Sequence, residues 1–480
     1  MTDLHDKDLE KVHVDFVENV AKPEPSGPVL VDETGRIQRL PVPSDDPNDP
    51  LNFAVWEKTA IIVCCCWFSI MSLSVVGGLG SVLDVFFQLY GAEGRSTNQV
   101  VWLSTFPSLF VGLLPLMLAE LTFVHQRGTI YGIYWASQNI ITSLLTLGSS
   151  YEVAALGWRW FYWVFVLTVG VGLVLVVFGC FETRYQRGAI FLQNQAVITD
   201  EYGVTRVLNE EEARAWLAAQ TETSFPGAPS QHPPTKRSYR QMLSPWPGVS
   251  AHPMRTVLKT WWQMLESFSS PGVLYATLLA SVVLGASVGV SLTYNTVLEY
   301  NYGWSASAIG LINLGGVFGG LGGMLYAGIF GDRFIVWAAK RAGGVHQPEH
   351  HLLLLIAPGL LAVASLILYG FTADGNATWG GPFMGWTLYQ VAFVSVLIRT
   401  TSFATEAWPK NPGPALVTVV GTKNLISFGV SYGLNPMVAK YSYPAAMGIL
   451  AGVVGGVLLL GVPVYFYNPK VCPALSFVRL

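Results

Sequence analysis

The sharpest chemistry in the sequence is one isolated cation. Lys423 falls eight residues into the apolar run Ala415–Leu434, about 12 Å deep at 1.5 Å per residue if that run is a helix crossing lipid. An ionisable group at that depth is costly and marks a substrate, ion or proton path. A substrate anion, a carboxylate, or carbonyl groups around Asn424 could answer its charge, and the sequence leaves these open. Arg399 lies four residues from the end of Phe383–Phe403, where its long stem can carry the guanidinium to the interface. Two polar stripes accompany these cations. Tyr134, Gln138 and Thr142 stand four apart with Asn139 adjacent, and Ser287, Ser291 and Asn295 do the same with Tyr294 beside them. Polar groups in hydrocarbon need a partner, water or a ligand. Each stripe therefore lines a central cavity or hydrogen-bonds to neighbouring helices.

A third cluster lies at the end of a span. Gly328-Ile-Phe-Gly-Asp332-Arg333 is followed one helical stretch later by Lys340-Arg341. A cation–anion pair there can bridge two helices and break when a mouth opens. Ordinary flanking charge is the plainer alternative. His346, His350 and His351 resemble the last histidine box of membrane fatty-acid desaturases, but His5, His13, His125, His232 and His252 stand alone, without ligand spacing. A histidine cluster in a loop at the membrane surface is the reading adopted, and no metal or cofactor is expected. No G-x-x-x-x-G-K-[ST] occurs, so direct drive by ATP is not expected. Gly315, Gly319 and Gly323 repeat every four residues inside an apolar span, which lets a neighbouring backbone approach closely. Cys64, Cys65 and Cys66 share one apolar run and form no C-x-x-C pair, so they read as small apolar residues.

These residues need helices that cross lipid to position them. Of 480 residues, 51% are hydrophobic and 12% charged, against roughly 25% charged in a typical soluble domain. The net charge of −3 comes without a dense basic block, so no nucleic-acid partner is expected. A bilayer core of about 30 Å needs roughly 20 apolar residues in helix. The qualifying runs are Thr59–Leu79, Val100–Leu118, Thr129–Gly148, Trp160–Cys180, Val273–Thr293, Ala306–Phe330, Leu352–Phe371, Phe383–Phe403, Ala415–Leu434 and Ala445–Tyr467. The expected fold is an all-α integral membrane protein of about ten spans, four and then six. Residues 1–58 form a polar, disordered tail without the apolar region of a cleaved signal peptide. Residues 59–180 form the first bundle, 181–270 a central loop, 271–467 the second bundle and 468–480 a tail. Within the loop, Asn209-Glu-Glu-Glu reads as a helix start, Pro226 to Pro234 as flexible linker, and Met254 to Phe268 as a helix lying on the membrane.

Orientation follows from the basic residues. The central loop holds Arg184, Arg187, Lys236, Arg237, Arg240, Arg255 and Lys259, which places it, both termini and the Arg333–Arg341 region in the cytoplasm. The segments Tyr294–Trp304 and Thr372–Gly381 then face outward and hold no basic residue. The second carries the glycosylation acceptor Asn376-Ala377-Thr378.

Gly328, Asp332 and Arg333, with Lys340 and Arg341, resemble motif A of the major facilitator superfamily. Further resemblance to its fungal branch related to drug–proton antiporters lies in Asp45-Asp46-Pro-Asn-Asp-Pro-Leu-Asn52, Gly157-Trp-Arg-Trp160, Thr293-Tyr-Asn-Thr-Val-Leu-Glu299, Gly310-Leu-Ile-Asn-Leu-Gly315 and Ala339-Lys-Arg-Ala-Gly-Gly344. The resemblance implies two bundles working by alternating access. It also implies export of a small organic substrate, coupled to protons, from a monomer in the plasma or vacuolar membrane. An uptake permease, a transport-inactive short form and a membrane-embedded enzyme are the alternatives. The first bundle departs from the family's six helices. Phe110-Val-Gly-Leu113, which resembles the start of the family's second helix, runs straight into Leu114-Pro-Leu-Met-Leu-Ala-Glu120 and Arg127-Gly128, which resemble the end of its fourth. The family's glycine–proline pair is also absent from Thr129–Gly148. An internal deletion that fuses two half-helices explains the count and keeps every later orientation. It predicts extra codons in the native transcript near Leu113, which sequencing the message across Val111 to Leu116 checks.

Overall fold

The computed structural model describes residues 46–71, 74, 127–181, 183, 190–192, 195–199, 205–209, 236–243, 253–341, 347–375, 377–408 and 412–468. The expected span Val100–Leu118, the fusion point near Leu113, the linker Pro226 to Pro234 and the acceptor Asn376 lie outside the described residues. Helix α1 covers 55–71, followed by α2 (Arg127–Leu156) and α3 (Trp158–Gly179). After the central segment come α4 (Pro253–Ser267), α5 (Pro271–Asn301), α6 (Ser307–Arg341), α7 (His350–Ala373) and α8 (Gly380–Ala407). The last helical stretch breaks at Ser442, whose φ of 69° is not helical, one residue short of Tyr443-Pro444. Pro444 has no amide to donate to the Lys440 carbonyl, which loosens the helix at this place. Two helices result, α9 (412–441) and α10 (443–468), in the places of the last two apolar runs.

Six helices among the described residues are long and apolar enough to cross a membrane. Most run past the hydrophobic runs at both ends, because helix termini extend into polar residues that capping groups satisfy. Ser270 Oγ accepts the Val273 amide at the start of α5, where Pro271 fills the first position, a preferred arrangement for a helix start. Two π-helical segments, Val297–Asn301 and Met324–Phe330, interrupt α5 and α6. Such segments gather at functional sites.

The second half is built around α5, which packs on α8 and α9 and is 83% buried over its apolar window. In the first half the described residues supply α1, α2 and α3. Helix α3 is only 6% buried over its window and holds α1 through Trp67 Nε1 donating to the Thr168 carbonyl and Cys64 Sγ to that of Leu175. Cys64 also packs against Gly179, so it serves as the small apolar residue its run implied. At the foot of this half, Trp56, Phe181 and Tyr239 form an edge-to-face chain. Lys236 pairs with Glu57 at 2.8 Å, and the Arg237 amide donates to Asn48. The segment before α1 is thereby stitched to the end of the central loop.

That loop holds an unforeseen element, an antiparallel sheet of β1 (Ile190–Leu192), β2 (Gln195–Thr199) and β3 (Thr205–Asn209) in the order β1-β2-β3. Asn209 ends β3, and the helix read as starting at Asn209-Glu-Glu-Glu lies outside the described residues. Helix α4 has the expected surface character. Met254, Leu258, Trp261, Trp262 and Leu265 are exposed along one face, while on its other side Ser267 Oγ meets Thr418 Oγ1 of α9 at 3.2 Å.

Helix α6 joins the halves through its glycines. Gly315, Gly319 and Gly323 leave no room for a side chain against Thr387, Gln390 and Val394 of α8, while Gly316 and Gly320 do the same against Ser143 and Ile140 of α2. A helix bare on two faces can approach two partners at backbone distance. Gly319→Ala drives a methyl into the Gln390 side chain and is expected to lower the thermal midpoint of the detergent-purified chain, as overpacking costs about 1–3 kcal/mol. Gly452→Ala enters open space and leaves the midpoint unchanged.

Candidate functional site

Helix α2 begins beside the end of α6. Its first amides have no partner within the helix and carry the positive end of the helix dipole. Asp332 answers both needs from the other half of the chain. Its Oδ2 accepts from the Thr129 amide at 2.7 Å and from the Thr129 hydroxyl at 2.6 Å. Its Oδ1 faces Nη2 of Arg399 at 3.3 Å. Gly128 and Gly331 make the space, since a side chain on the first would overlap the Asp332 carboxylate and one on the second the Arg399 guanidinium.

Arg399 is completely buried and does not reach the interface as its position near the span's end had suggested. Its Nη2 also donates to the Gly328 carbonyl inside the π-helical segment of α6, and its Nη1 lies 3.3 Å from Nδ1 of His351. His351 Nε2 in turn meets Glu406 at 3.1 Å. The chain Thr129–Asp332–Arg399–His351–Glu406 thus crosses α2, α6, α8 and α7. Seven residues separate Arg399 from Glu406, two helical turns, so both point the same way. Next to it, Glu349 accepts from Asn468, which accepts from the Gly272 amide. His350 and His351 are buried at the start of α7, which corrects the expectation of a surface loop cluster; His346 lies outside the described residues.

Within the Gly328–Arg341 motif, then, Asp332 pairs with Arg399 and not with the adjacent Arg333. Neighbours on a helix point about 100° apart. Arg333, Lys340 and Arg341 are exposed, the last stacked 4.1 Å above the Trp337 ring.

The polar stripe of α2 is largely spent on helix contacts. Tyr134 donates to Ser69 at 2.8 Å, Gln138 donates to the same hydroxyl at 2.6 Å, and Thr142 accepts from Ser74. Asn139 donates to the Gly316 carbonyl of α6. The stripe of α5 is mixed. Ser287 and Asn295 are buried, Ser291 donates to its own helix, and Tyr294 accepts from Asn313 with its ring 5.8 Å from Trp386. Asn424 donates to the Val420 carbonyl one turn back.

Lys423 itself is 4% exposed. Its Nζ lies 4.0 Å from the centre of the Trp135 ring on α2, and the Trp135 indole nitrogen donates to Thr401 of α8 at 3.3 Å. Among the described residues it has no carboxylate partner. A desolvated cation–π contact supplies about 2 kcal/mol, while burying an ion costs several kcal/mol. The contact offsets only part of the cost.

Sequence comparison is consistent with this architecture. Residues 103–422 match the family model of the Major Facilitator Superfamily. An uncharacterized MFS-type transporter of Schizosaccharomyces pombe is 25% identical in an alignment of 437 positions that covers 74% of this chain and 74% of that protein. The protein HOL1 of Saccharomyces cerevisiae is 21% identical, covering 90% of this chain and 89% of its own. The efflux pump radE of Floropilus chiversii is 22% identical over 75% of this chain and 61% of its own. With about two thirds of its length matched by the family model, this multi-pass membrane protein belongs to the major facilitator superfamily.

Proposed function

We propose that the chain exports small organic molecules across a membrane by alternating access, with proton exchange as the driving process. The observation that carries the reading is Asp332 at the start of α2. One carboxylate of the second half caps a helix of the first half and is held by a buried arginine. Such a contact is made in one arrangement of the halves and lost when they separate at that end. It has the character of a latch on the cytoplasmic mouth, the side assigned by the basic loops. Relatives named as MFS-type transporters and as an efflux pump support export over uptake.

The first bundle's departure from the family's six helices favours a second reading, a short form that transports nothing. Vesicles decide between them. Energised inside-out vesicles carrying the chain are expected to concentrate at least one member of a panel of fluorescent anions, neutral compounds and cations, and a protonophore is expected to abolish the accumulation. Concentration only by right-side-out vesicles would indicate uptake, and movement of no panel member would indicate the inactive form.

Asp332→Asn weakens one charge-assisted contact of about 1.5–3 kcal/mol and is expected to reduce transport at least about tenfold, since 1.4 kcal/mol is a factor of ten. Thr129→Val removes the hydroxyl but keeps the amide, so initial rates in the same vesicles are expected to fall only a few-fold.

A further inference from the structure

We infer that Lys423 and Trp135 form a subsite for an organic anion, so that the cargo is a carboxylate or similar acid on an apolar body. This rests on the transporter reading and specifies its substrate class. Among the described residues, other buried charged groups around the latch have fixed counterparts. Arg399 has Asp332, His351 has Glu406 and Glu349 has Asn468. Lys423 is as deep and has only an aromatic face. The sequence left three answers to its charge. Among the described residues no carboxylate reaches it, and its ammonium contacts the Trp135 ring. An anion that comes and goes is the answer this geometry favours.

The placement suits such a visitor. Lys423 belongs to α9 of the second half and Trp135 to α2 of the first, with the indole N–H tied to Thr401 of α8. An anion arriving at the ammonium therefore acts on the seam between the halves. A cationic compound meets an uncompensated like charge and is refused.

The test uses the detergent-purified full chain and three probes of one shape: 1-naphthoate, 1-naphthamide and 1-naphthylmethylammonium. Naphthoate is expected to bind at least about tenfold more tightly than the amide by tryptophan quenching and to raise the thermal midpoint, with the ammonium weakest. Lys423→Gln is expected to bring naphthoate and amide to parity, Lys423→Arg to keep the preference, and Lys423→Glu to shift it toward the ammonium. Lys423→Met is expected to raise the midpoint of the empty protein, because an uncompensated buried charge is removed; a lysine serving structure would lower it. Equal binding of the three probes by the unaltered chain, or naphthoate preference surviving in Lys423→Gln, would overturn the inference. In proteoliposomes, movement of the amide and ammonium without naphthoate would sink the anion subsite and leave the transporter standing. Lysine-dependent naphthoate binding with no probe moved would do the reverse.

Discussion

A helix that starts inside a protein leaves amides pointing at nothing, and a carboxylate taken out of water needs donors and a cation. In this chain the two needs meet at one point. Thr129 opens α2, Asp332 closes the apolar part of α6, and Arg399 balances the charge from α8. Removal of any one member strands the other two in a poorly solvating place, where a broken buried pair is far worse than none. The network through His351 and Glu406 fixes Arg399 from behind. The contact is therefore specific in geometry, and in the proposed alternating access its loss is a discrete event between two arrangements.

The glycines of α6 set how finely that event is controlled. Because α6 meets α8 and α2 at backbone distance, it has little freedom to tilt without opening gaps or clashes, and packed interiors are close to incompressible. Displacement at the Asp332 end must pass along α6 as a rigid movement, except where the π-helical segment Met324–Phe330 loosens the hydrogen-bond ladder. That segment presents the Gly328 carbonyl to Arg399. The irregular backbone and the latch thus share an atom.

Much of this was legible in the sequence. Lipid demands long apolar helices, so the membrane architecture follows from hydropathy, and the four-residue glycine repeat announced close packing. The depth of Lys423 was readable from its position alone. The partners were not. Arg399 lies near its span's end, and only the packing of α6 and α7 against α8 shows that its guanidinium stays inside. Asp332 has a basic neighbour in sequence, but helical geometry turns Arg333 away and long-range packing brings Arg399. Thr129 carries no motif at all; its role comes from being third in a helix whose start another half of the chain covers. The histidines read as a surface cluster because the polar run around them hid where α7 begins. The sheet at Ile190–Asn209 was missed because short alternating strands are faint beside membrane spans.

The contact between α4 and α9 has a consequence of its own. Ser267 fastens to Thr418 an amphipathic helix whose tryptophans and leucines face outward, and Thr418 sits five residues before Lys423. A rigid rod so fastened moves with the helix that holds it. Any displacement of α9 therefore carries that apolar face with it, and whatever surface the face rests on resists the displacement.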